Sequence, residues 1–245
     1  MDIREGTIIP YNPSVGIVVG TYSSVPYVHL QLESRKRFCP ETPCLVVDDG
    51  SPDYSVLCKL CKEYGADFFG NPRRLGHVCG DMSVFVHGIR WAITKNLCLV
   101  VKLSRRWLMM RPWVQELKDL AYCNQMPTYS NKCDANGFGF RSECMAMHAE
   151  SWMQVVPTLM WGIEMDWKDL AEAFYDQRCS QKIQLCNVAQ KIPTRQYAST
   201  DWSIIGTNRN QKQKDVVWHC ANPPSDYFEV SNKWKLPYTL ADFNM

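Results

Sequence analysis

The sequence contains no run of about 18 apolar residues, so no membrane-spanning helix is expected. No apolar stretch follows Met1–Arg4, and therefore no secretory leader is expected. An excess of either charge is also missing: 27 Lys and Arg stand against 25 Asp and Glu, a formal net charge of +2. A general nucleic-acid binder needs a broad basic face to displace counterions, so nucleic acid is not an expected partner. Any selectivity for anions must then come from a local cluster. Internal repeats and low-complexity linkers are absent, which points to one domain over residues 1–245.

Cysteine, by contrast, is plentiful, with twelve residues. In a long chain without a leader, and with several cysteines inside apolar runs, these read as reduced thiols, mostly core, in the cytoplasm. Cys58-x-x-Cys61 has redox or zinc spacing, but a second close pair is missing, and Cys39 and Cys44 are set wider than a zinc ribbon requires. Zinc is not expected. With 46% hydrophobic and 21% charged residues, a chain of this size buries roughly 73% of its unfolded surface on folding and needs no external staple.

The first hundred residues alternate between two periods. Ser14–Thr21, Cys44–Asp49, Ala66–Phe69 and Asn96–Leu103 read as short buried strands. Between them, Pro26–Phe38, Ser55–Tyr64 and Gly76–Ala92 read as helices. Val56, Leu60, Cys61 and Tyr64 share one face of the second, and Met82, Phe85, Val86, Ile89 and Ile93 share one face of the third. Such alternation predicts right-handed βαβ crossovers and an α/β fold with a mixed, largely parallel sheet flanked by helices. Ligands in such sheets bind beyond the carboxyl ends of the strands. Thr21–Ser23, Asp48–Pro52 and Ser104–Arg106 are therefore the segments expected at a site. After Trp107 the alternation breaks: Arg111–Tyr122 and Asp166–Gln177 read as helices, with strands at Cys144–Ala149 and Val216–His219. Lys182–Lys214 is polar and weakly patterned.

Val15–Tyr22 followed by Leu45–Asp53 (LVVDDGSPD) resembles the opening of family 2 glycosyltransferases and their GT-A relatives. Asn71-Pro72-Arg73-Arg74-Leu75-Gly76 before a helix is similar to the segment of that family that borders the nucleotide. The resemblance covers residues 14–108 well and the remainder loosely, and it implies a GT-A domain with a nucleotide-binding half, 14–108, and an acceptor-facing half, 109–245. It further implies a hexosyltransferase-type reaction in which a nucleoside-diphosphate sugar, the uridine form foremost, donates to a glycan or another hydroxyl acceptor. By resemblance Asp49 accepts from the base, Thr21 and Tyr22 contribute beside it, and Gly50 and Arg74 border the donor. Asp48 has a second, local use, because strand-end aspartates satisfy turn amides.

The sequence departs from the family at the fourth strand. Family members end it with Asp-X-Asp, which holds a divalent metal against the pyrophosphate; here Ser104-Arg105-Arg106 aligns with that motif. Guanidinium groups can neutralise a diphosphate through paired, charge-assisted hydrogen bonds, aided by Lys102, Arg73 or Arg74. No cofactor is then required and no metal is expected. The competing reading is a centre that has lost catalysis and binds a sugar nucleotide or glycan; a plain solvated basic turn is a third. A sugar-nucleotide-forming nucleotidyltransferase would carry a glycine-rich basic loop where Thr21-Tyr22-Ser23-Ser24 stands.

In the second half, Gly137, Phe138 and Gly139 resemble the family loop that frames donor sugar and acceptor, and a tight turn beside a core cluster fits them equally. Glu164 and Asp166 are the nearest match to the family's general base, with Glu150 as a second candidate, although Asp166 also suits a helix N-cap. His219 occupies the place of a late histidine near the pyrophosphate.

Overall fold

The computed structural model describes residues 8–105, 107–109, 112–125, 127–130, 142, 144–179, 204–205 and 223–244. Its first half follows the alternation: β1 (Val15–Thr21), α1 (Val25–Phe38), β2 (Cys44–Asp48), α2 (Tyr54–Glu63), β3 (Asp67–Gly70), α3 (His77–Thr94) and β4 (Leu99–Ser104). Then come β5 (Leu108–Met109), α4 (Val114–Asn124), β6 (Thr128–Ser130), β7 (Cys144–His148), α5 (Ala149–Met153), α6 (Val156–Glu164), α7 (Ala171–Phe174), β8 (Ile204–Ile205) and α8 (Pro224–Lys233).

Six strands form one sheet in the order β3-β2-β1-β4-β7-β6. The first four are mutually parallel, while β7 runs antiparallel to both β4 and β6. This is the expected α/β architecture, a largely parallel sheet flanked by helices. Alternation along the strands sorts the core into two layers. Ile17, Val19, Val46, Val101 and Leu103 pack with α1, α2 and α4. Val18, Val47, Val100, Met145 and Met147 pack with α3, α5, α6 and α7.

The chain reaches β2 and β3 on one side of β1 and returns through α3 to place β4 on the other. The order therefore reverses between β1 and β4, and the crevice beyond their carboxyl ends is where such sheets take ligands. Cys61 is buried and Cys58 exposed on α2, as the helical face required. Burial pushes the Cys61 and Cys44 thiols up to about 12.

Some expectations shift by a residue or fail. Val56 is exposed and Leu57 takes the inward place on α2; Ile93 is 38% exposed, and Ala92 is buried instead. The helix expected from Asp166 starts only at Ala171 and widens into a π turn at Tyr175–Cys179. Asp166 is not an N-cap: with φ at 52° it closes the end of α6, where Trp167 N–H returns to Gly162 C=O. Val216–His219, and Lys182–Lys214 apart from Ile204 and Ile205, lie outside the described residues. Among the described residues no helix is long and apolar enough to cross a membrane.

Candidate functional site

At the switch point lies a cavity of about 520 Å³. Its first wall is the turn chemistry after β1 and β2. Asp48 is fully buried and accepts from Ser51 N–H at 2.8 Å and from the Ser51 hydroxyl. The Ser51 oxygen in turn accepts from Ser23 N–H at 2.6 Å, tying the loop after β1 to the loop after β2. Asp48 thus performs the local role that strand-end aspartates favour.

Asp49 points the other way, onto the segment 71–76. Its carboxylate accepts from Leu75 N–H at 2.9 Å, Gly76 N–H at 3.0 Å and the Asn71 amide at 3.1 Å. Burial pushes its pKa up from the usual carboxylate value, while these donors and Arg74 pull it back. The close fit needs two glycines. A Cβ on Gly80 would lie 2.7 Å from the Asp49 carboxylate, and one on Gly50, at φ 73°, would lie 2.6 Å from the backbone of Arg73 and Arg74. So fixed, the segment lays the Arg74 guanidinium over the Tyr22 ring, 4.0 Å from its centroid. Thr21 lines the cavity between them, and its buried hydroxyl has no hydrogen-bond partner among the described residues.

The second wall is built from β4 and the turn after it. Gln31 of α1 donates its amide to the carbonyls of Ser104, at 3.2 Å, and Trp107, and the Ser34 hydroxyl reaches Met109 C=O at 2.5 Å. These bonds pin the turn that carries Arg105. The Arg105 guanidinium donates to Tyr22 C=O at 2.9 Å and to the Ser24 hydroxyl, and it lies 5.9 Å from the Tyr27 ring centroid. Arg74 therefore holds the ring of Tyr22, and Arg105 its carbonyl. Deeper in the cavity, Lys102 is paired with Asp81 of α3. Glu172 of α7 accepts from Ser142 N–H at 3.0 Å. The amino end of α3, from Gly76 to Val78, also borders the space, where its dipole favours an anion.

The strand end that would present carboxylates offers a hydroxyl and a guanidinium, and Asp81 is already bound to an ammonium. Among the described residues no group of three or more His, Cys, Asp and Glu is gathered for a metal.

Of the residues selected from sequence, Thr21, Tyr22, Asp49, Arg74, Ser104 and Arg105 line the one cavity. Gly50 lies beneath the 73–74 backbone instead. Glu164 is exposed on α6. The exposed Asp166 carboxylate pairs with Lys168 at 2.5 Å and does not line the cavity. Glu150 is exposed at the start of α5 and stands at the opposite end of the strands, because Ala149 bonds to Cys98 at the foot of β4. Six residues of strand, roughly 20 Å, separate that end from Ser104. Arg106, Gly137, Phe138, Gly139 and His219 lie outside the described residues.

Asp81 and Glu172 were not selected from sequence, and Lys102 only as an accessory cation. Lys102 had a signal, a lone charge within the apolar run of β4. Asp81 stands four residues before Phe85 on the inward face of α3. Glu172 had none, since nothing local separates it from a surface glutamate.

No protein-family profile matches the chain, and no curated protein does. Among solved structures it is similar to TarS from S. aureus, with a TM-score of 0.44 and 11% identity over 58% of this chain and 29% of TarS. The glycosyltransferase GlyE of Streptococcus pneumoniae TIGR4 gives 0.47 and 12% over 70% and 44%. A cytidylyltransferase from Leptospira borgpetersenii gives 0.46 and 14% over 93% and 98%. The chain thus spans less than half the length of TarS or GlyE. At these identities and TM-scores the likeness carries no argument about chemistry, and the residues of this chain must supply it.

Proposed function

We propose that this chain is a glycosyltransferase that binds a nucleoside-diphosphate sugar, the uridine form foremost, and passes a hexose-type sugar to an acceptor hydroxyl without a divalent metal. The observation that carries this reading is the cationic rim of the switch-point cavity: Arg105 and Arg74 stand on either side of Tyr22, where the family resemblance expects a metal-held pyrophosphate. Residues 14–108 would hold the donor. Thr21, whose hydroxyl has no partner among the described residues, and Asp49 would meet the N–H edge of a base, and the two guanidiniums the phosphates. Residues 109–245 would frame a glycan or other hydroxyl acceptor.

The chemistry then needs one base. Glu172 is buried in the cavity wall, and only one of its oxygens has a partner among the described residues, Ser142 N–H. We assign it the proton of the acceptor hydroxyl, in place of Asp166, Glu164 and Glu150. As that O–H bond breaks, the acceptor oxygen bonds to the anomeric carbon. The bond from that carbon to the diphosphate oxygen breaks, and its electron pair leaves with the diphosphate, whose growing charge the arginines stabilise.

Calorimetric titration of UDP, GDP, CMP and ADP in EDTA, and again with Mn²⁺, tests this. UDP should bind in EDTA, and Arg105→Ala should weaken it or slow donor turnover by about 100-fold, the usual effect of removing one preorganised donor. Binding only with Mn²⁺ would refute metal independence. Binding without any donor hydrolysis or transfer would favour the non-catalytic module, and no binding at all would refute the function.

A further inference from the structure

Lys102 occupies the middle of a central strand, opposite Val18 on one side and Met145 on the other, and is 1% exposed. Its neighbours on that face of the sheet, Val18, Val100 and Met145, are apolar core. An ammonium there loses its hydration, and a methionine would fill the space at no such cost. The ammonium instead joins its strand to two separate pieces of chain. It pairs with Asp81 of α3, lies 5.0 Å from the Phe85 ring centroid, and donates to Ser142 C=O at 2.8 Å. The other Asp81 oxygen accepts from Tyr175 O–H at 3.1 Å, and burial beside that carboxylate pushes the Tyr175 hydroxyl far up, so it stays a donor. Ser142 passes the connection on, since its N–H is the bond that holds Glu172.

We infer that Lys102 is a positioning residue: through Asp81 and Ser142 it clamps α7 to the sheet and so sets where the Glu172 carboxylate stands in the cavity. The buried pair is then kept for geometry, with stability a secondary matter. Replacing both members of a buried pair by apolar residues of similar volume is often neutral or stabilising. The fold should therefore survive their joint loss while the placement of Ser142 and Glu172 does not. Only the activity readout rests on the glycosyl-transfer reading.

The test is the double variant Asp81→Leu, Lys102→Met, compared with the parent in three measurements. Hydrogen exchange should quicken tenfold or more in peptides covering residues 142–148 and 171–175, with β1 and β2 unchanged and the melting temperature near the parent's. Nucleotide affinity should stay within about threefold. Donor turnover should fall at least 30-fold, in kcat and not KM, whereas the single variant Lys102→Arg, which keeps a cation beside Asp81, should retain part of it. Unchanged exchange in those two segments would overturn the inference whether or not the protein is a transferase. Parent-like turnover, or loss of nucleotide binding, would overturn it too, the latter by placing Lys102 on the donor itself. If the double variant does not fold, Tyr175→Phe, which removes the bond to Asp81 and leaves the charge pair intact, permits the same comparison. A parent protein that binds no nucleotide refutes the transferase reading, and the exchange result still decides the clamp.

Discussion

The two walls of the cavity are held by different physics. The wall after β1 and β2 is held by backbone amides converging on Asp48 and Asp49, with Gly50 and Gly80 allowing close approach. The wall formed by β4, Ser142 and α7 is held by a buried charge pair whose members are 21 residues apart in the chain. Turn chemistry is short-ranged and tolerates no added bulk. A charge pair acts over distance and fails when only one member is removed. Each wall should therefore break in its own way.

The largest effect expected is from Lys102→Ala alone, which leaves Asp81 desolvated without a counter-charge and should cost about 3–5 kcal/mol in denaturant unfolding. A loss no greater than that of the double variant would show that both walls rest on packing, and the contrast would collapse. Gly50→Ala comes next. It places a side chain at φ 73°, at about 1–2 kcal/mol, against the Arg73–Arg74 backbone, at about 1–3 kcal/mol. Chemical denaturation should give a loss of about 2–5 kcal/mol, with the Arg74 segment displaced and nucleotide binding weakened.

The smallest effect is set by pH outside both walls, where His87 of α3 stacks on Phe69 of β3 with centroids 3.6 Å apart. Burial, with Arg90 nearby, lowers the His87 pKa from 6.5 to about 4. Protonation is therefore disfavoured in the folded state. The stacking contribution is complete above pH 6.5 and fades as pH falls through about 4. Thermal unfolding midpoints across that window should decline less steeply in His87→Gln than in the parent, and identical slopes would remove His87 from the account.

The first wall was legible because its signals are local. Asp48-Asp49-Gly50-Ser51 at a strand end declares a turn, and the apolar runs on either side declare the strands. Where helical faces slipped, as from Val56 to Leu57 and from Ile93 to Ala92, the error was one residue in a period of 3.6. The second half was less legible because its elements are short and bounded by contacts made elsewhere. Leu108–Met109 forms a strand only because Ile204–Ile205 pairs with it, and α7 begins only at Ala171, once the end of α6 has been closed. Glu150 was selected for its residue type, but the antiparallel course of β7 carries it to the far end of the strands.

The amino-acid sequence by itself determined the alternation that builds the sheet, the edge of it where a ligand is expected, and the cationic residues at the end of β4, because each depends on neighbours within a few positions. Only the tertiary structure decided which charges share a cavity. Arg74 reaches Tyr22 because Asp49 captures the amides of residues 75 and 76, Lys102 finds Asp81 because α3 crosses over β4, and Glu172 faces inward because Ser142 holds it. Those pairings join residues from 21 to 52 positions apart, and side-chain patterning carries no information at that range; the packing of helices on a sheet does.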